Sequence, residues 1–63
     1  MIFIVIIVMY VQGGFIEQSE LIYFGNTLEC QSYVGKEVTD FYETGHFTGV
    51  EGYCVVLPDI REL

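Results

Sequence analysis

Apolar residues follow three different rhythms along this chain. From Ile2 to Val11 (IFIVIIVMYV) they run without interruption, and most are β-branched or aromatic, the side chains that suit a pleated surface better than a helix. With odd and even positions both apolar, this segment predicts a strand covered on both faces, hence central in its sheet. It stops at Gln12-Gly13-Gly14, well short of the roughly 20 apolar residues that a bilayer-spanning helix needs. No basic residue precedes it and no Ala-x-Ala site follows it, so it does not read as a secretory signal.

Gly13-Gly14 predicts a two-residue primed turn, because glycine reaches positive φ without steric cost. The second strand is then Phe15 to Phe24, with Val11 opposite Ile16, Ile7 opposite Glu20, Val5 opposite Ile22 and Phe3 opposite Phe24. Its centre, Glu17-Gln18-Ser19-Glu20, is polar on both faces, as in an edge strand guarded against unwanted pairing, and has room for a bulge.

The rhythm then lengthens. Between Thr27 and Glu43, Cys30, Val34, Val38, Phe41 and Tyr42 form one helical stripe, while Glu29, Ser32, Lys36, Thr39, Asp40 and Glu43 fall largely opposite. Asn26 with Glu29 reads as a capping box, Gly35 weakens the middle, and Gly45 ends the helix. His46 to Gly49 makes a loop. Val50 to Leu57 predicts a third strand stopped by Pro58, and the end of the chain reads as a frayed polar tail.

The order ββαβ predicts an α+β fold in one domain spanning residues 1 to 63. The greasiest strand belongs in the middle, so the three-stranded sheet takes the order 2-1-3, a split βαβ unit with strand 1 antiparallel to both neighbours. A single helix covers one face only. The other face of strand 1 is left for a second copy or another protein, and Ile4, Ile6, Val8 and Tyr10 are candidates for that contact.

Size sharpens this expectation. A chain of 63 residues makes a marginal core, yet 52% of the residues are apolar and ten are Phe or Tyr, more than one small core uses. Homo-oligomerisation is therefore expected. Cys30 at the start of the helical stripe and Cys54 in the third strand could form a disulfide or remain two buried thiols. There is no Cys-x-x-Cys, so neither a metal nor a redox role is indicated for them.

Nine acids against Lys36 and Arg61 give a formal charge of −7. Direct nucleic-acid binding and anionic membrane surfaces are disfavoured, since both require Lys and Arg, whereas a basic protein partner is favoured. Glu17, Glu20, Glu29, Asp40 and Glu43 are candidate partner-binding acids that could imitate the phosphates of DNA. His46 lacks a nucleophile or an orienting acid positioned by the sequence, Glu17 and Glu20 should point to opposite faces, and the glycines fit no phosphate-binding spacing. Turn roles are expected for Gly13, Gly14, Gly45, Gly49 and Gly52. No catalytic residue, metal site or cofactor is expected, and the chain is not read as an enzyme.

Phe24-Gly25-Asn26-Thr27-Leu28-Glu29-Cys30 and Tyr53-Cys54-Val55-Val56-Leu57-Pro58, after a Val/Ile-rich first strand, resemble short open reading frames common in phages and proteobacteria. Those show an aromatic-x-Ser/Thr-Leu-Glu-Glu-Cys helix start and a terminal Cys close to Pro; this chain has a single Glu there and places Pro58 four residues beyond Cys54. The resemblance implies the same fold and a phage or bacterial origin, and it implies no activity; the compartment is left open, with the absence of a recognisable signal peptide favouring the cytoplasm of a bacterial or phage-infected cell. Glu17-Gln18-Ser19-Glu20-Leu21-Ile22 is similar to the Glu-Ser-hydrophobe edge strand of phage uracil-DNA glycosylase inhibitors, which implies DNA mimicry. The expected function is that of a small acidic protein-binding module, a phage-type modulator or inhibitor of a host protein. The alternatives are a self-assembling structural protein and a DNA mimic.

Overall fold

The computed structural model describes residues 1–57. Strand β1 (Ile2–Val11) is followed by β2 (Gly14–Tyr23), helix α1 (Thr27–Glu43) and β3 (Gly49–Val56). The sheet has the order β2-β1-β3, and β1 is antiparallel to both neighbours. The α+β fold with β1 at its centre is as the apolar pattern predicts. Pro58 and the predicted tail lie outside the described residues.

The hairpin differs from expectation by a register step of two. Val11 faces Gly14, Ile7 faces Gln18, Val5 faces Glu20 and Phe3 faces Ile22. The turn is Gln12-Gly13, in which Gly13 alone takes positive φ (93°), and Gly14 is drawn into the strand. A slip of one residue would have turned every side chain over; a slip of two keeps each on its predicted face. Pairing runs unbroken from Ile2↔Tyr23 to Val11↔Gly14, so β2 carries no bulge.

The core forms under the helix. Phe3, Val5, Ile7 and Met9 are 1 to 3% exposed, and Cys30 and Val34 close over them from α1. Phe24 joins this cluster edge-on to Phe3 at 5.8 Å and tilted against Tyr33 at 5.5 Å, while Phe41 meets Phe47 at 6.2 Å. Tyr33 and Val38 are half-buried beside them, but Tyr42, predicted for the stripe, is 58% exposed. Tyr42 sits at the edge of the apolar arc, in the last turn before the Thr44 cap, while Phe41 beside it packs on the core.

Asn26 Oδ1 accepts from the Glu29 N–H at 2.9 Å, and Glu29 Oε1 accepts from the Gly25 N–H at 2.8 Å. The cap is thus reciprocal, with its return bond one residue upstream of the usual capping box. Gly45 (φ 79°) turns the chain out of α1. Gly52 is not a turn residue. It lies mid-strand in β3, where a Cβ would strike Val34 Cγ1 and come within 2.8 Å of Val38 Cγ2, so its missing side chain lets α1 sit directly on the strand. Gly49 and Gly14 likewise sit within strands.

Candidate functional site: the uncovered sheet face

Side chains alternate across the sheet, so burying Phe3, Val5, Ile7 and Met9 turns Ile2, Ile4, Ile6, Val8 and Tyr10 to the other side. Ile4, Ile6 and Val8 are half-exposed, and Ile2 and Tyr10 are exposed. Directly opposed residues share a face. Tyr23, Leu21, Ser19, Glu17 and Phe15 of β2 therefore stand beside these five in turn, and Val55, Tyr53, Glu51 and Gly49 of β3 flank Ile4 to Tyr10. Phe15, Leu21 and Tyr23 are 62%, 66% and 73% exposed. Apolar side chains thus run across all three strands on a face that no element of residues 1–57 covers.

Two carboxylates interrupt this surface in one row. Val8 is flanked by Glu17 on β2 and Glu51 on β3. Glu51 Oε1 accepts from the Tyr53 hydroxyl at 2.7 Å and the Tyr10 hydroxyl at 3.0 Å, which fixes it to the sheet. Both phenols are held above their ordinary pKa, because donation to the Glu51 carboxylate favours the protonated ring oxygen. Tyr10 also stacks tilted against Phe15 at 6.4 Å. The register puts neither Lys nor Arg of residues 1–57 on this face, since the one such residue, Lys36, is on α1.

Of the predicted contact residues, Ile4, Ile6, Val8 and Tyr10 come together here, and Glu17 joins them. Glu20 does not. It stands on the helix side, where its Oε1 accepts from Tyr33 OH at 2.9 Å and raises that phenol's pKa. Glu29 is spent on the helix cap, Asp40 pairs with Lys36 at 3.4 Å, and Glu43 lies in the last turn of α1. These five acids are spread over both sides of the sheet and both ends of the helix. Sequence reasoning overlooked Glu51, Tyr53, Phe15 and Leu21, although the alternation of β3 about Gly52 was the signal that could have found the first two.

Cys30 and Cys54 are joined as a disulfide, with Cα atoms 6.4 Å apart, tying the first turns of α1 to β3. His46 is exposed in the loop after α1, its ring edge-on to Phe47 at 6.4 Å. Among the described residues no group of His, Cys, Asp and Glu is arranged to hold a metal ion, and no helix is long and apolar enough to cross a membrane. No protein-family model, curated protein or solved structure matches the chain.

Proposed function

We propose that this chain is a small acidic protein-binding module whose contact surface is the uncovered sheet face, and that its partner is another protein presenting apolar side chains with basic groups beside them. The observation that carries this reading is the row Glu17–Val8–Glu51, the charged row of a largely apolar face. Burying carboxylates without cations is costly, so the occupant that suits the face brings Lys or Arg. A second copy would bring the same two acids, and residues 1–57 put no Lys or Arg on that face to meet them. The resemblance to phage reading frames supports a biological form for such a module, that of a modulator of a bacterial host protein.

The test combines association in isolation with mapped capture. Light scattering should find the isolated protein monomeric at neutral pH. Capture from a bacterial lysate should yield a partner that is lost with Phe15→Ser or Leu21→Ser, both highly exposed positions, and retained with Glu43→Gln on the helix. A partner indifferent to both sheet-face substitutions would overturn the proposal, as would a stable homodimer that these substitutions dissolve.

A further inference from the structure

A second surface lies apart from this face, at the outer edge of β3. The phase of the backbone bonding identifies which groups are free there. Phe24 N–H donates to Met1 O at 2.9 Å, and Leu57 N–H donates to Ile2 O at 2.9 Å. Odd residues of β1 therefore bond to β2 and even residues to β3, and in an antiparallel ladder the intervening β3 residues face the opposite way. Val50, Gly52, Cys54 and Val56 thus turn their N–H and C=O groups outward, and among the described residues no strand pairs with them.

The two edges of the sheet are not alike. β2 is guarded by Glu17, Gln18, Ser19 and Glu20, whereas β3 has one charge, Glu51, which is held inward on the face by two tyrosines. Alongside the β3 edge, under the outer flank of α1, runs an open groove of about 510 Å³ lined by Thr27, Gln31, Gly35, Val38, Val50 and Gly52 among others. Gly35 leaves a gap in the groove wall, because nothing lies within 4 Å of where its Cβ would be.

An unpaired backbone edge beside a shallow apolar groove recognises an extended chain: its main chain continues the ladder, and every second side chain enters the groove. A second copy pairing through its own β3 fits badly. It would set a second chain of formal charge −7, with its own Glu51 on the edge strand, against the first. The charge of −7, with Lys36 already paired to Asp40, disfavours an acidic segment.

We propose that the groove between the outer edge of β3 and α1 binds an extended, non-acidic segment of another protein as a fourth strand of the sheet, with a side chain entering beside Gly35. The probe is a phage-displayed library of random eight-residue peptides, panned on the disulfide-bonded protein and followed by amide NMR of the labelled protein with a selected peptide. Enriched peptides should shift the amides of Val50, Gly52 and Cys54 while sparing those of Phe15 to Leu21. N-methylation of alternate peptide amides should abolish binding in one phase and spare it in the other. Gly35→Leu, which fills open space on an exposed helix position and so retains the fold, should weaken binding at least tenfold, and Leu21→Ser should not. A library that yields no binder, shifts centred on β2, or binding unchanged by Gly35→Leu would overturn the proposal.

Discussion

Replacing Gly52 with alanine adds one methyl group at the place where the helix rests on the sheet. The new Cβ would overlap Val34 Cγ1, reach Val38 Cγ2 at 2.8 Å and Ile7 Cδ1 at 3.3 Å, so three core side chains are crowded at once. Overpacking of this kind costs about 1–3 kcal/mol. Relief by lifting the helix is restricted, because the Cys30–Cys54 bridge pins α1 to the same strand two residues away. The loss of glycine's unfolded-state freedom returns only about 0.4–1 kcal/mol. Net destabilisation of about 1–2 kcal/mol is a large share of the roughly 3–9 kcal/mol that a chain of this length holds, and should lower the melting temperature by about 10 °C. Gly35→Ala is the internal control, since it meets nothing within 4 Å in mid-helix and should raise stability by about 1 kcal/mol. Circular dichroism melts of both variants with the disulfide intact decide the matter. If Gly52→Ala melts at or above the wild-type temperature, the close seating of α1 on β3 is wrong.

Reducing the Cys30–Cys54 bridge, which spans a sequence separation of 24, should cost roughly 3 kcal/mol, read as a lower urea midpoint in reductant; alkylation of both thiols in unreduced protein would show that no bridge exists. Glu51→Gln removes the carboxylate that keeps Tyr10 and Tyr53 protonated, so ultraviolet titration should show both phenols ionising at lower pH than in the wild type. The linked effect on stability has one sign: a folded phenol with a raised pKa contributes fully below the unfolded value of about 10, and that contribution is lost as pH rises through the folded one. Ile7→Asp, under the helix at 2% exposure, should prevent folding, because an unpaired buried charge costs more than this chain can spare. Ile6→Asp, half-exposed on the other face, should leave a folded protein with weakened partner binding, and equal proton-NMR dispersion for the two variants would contradict the assignment of faces.

The sheet order was readable because β1 is apolar at both parities while β2 is polar at its centre, a contrast that only a central and an edge strand explain. The helix start was readable because Asn26 and Glu29 answer specific orphan backbone groups. The register was not, since Gln12-Gly13 and Gly13-Gly14 both make acceptable tight turns and the choice between them depends on the whole ladder. Gly52 misled for a related reason: a glycine's local signature is the same whether it serves a turn or a close approach, and only the facing Val34 and Val38 distinguish them. The central strip of the candidate surface was legible from β1 alone. The rest came from β2 and β3, whose contributions follow from register, and the acids of the DNA-mimic reading were scattered by the same geometry that gathered the apolar residues.

The two proposed surfaces share one cause. α1 packs over β3 and β1 and does not extend over β2, to which it is tied by the Tyr33–Glu20 hydrogen bond. One helix of 17 residues can bury one face of the central strand, and the disulfide commits it to the β3 side. Among the described residues, what remains is a sheet whose other face is largely apolar across three strands and whose β3 edge is unpaired. A chain so built would be expected to associate with itself unless something opposes it. Glu17 and Glu51 are placed to do that, on either side of Val8 in the fourth of the five rows, where an apolar surface approaching Val8 must dehydrate them. Acids flanking Val8 on both neighbouring strands discriminate between a twin and a partner that brings cations. It follows that Glu17→Gln with Glu51→Gln should turn a monomer into a self-associating protein while weakening capture of the basic partner. A double variant that stays monomeric and still captures that partner would show that the two carboxylates select nothing.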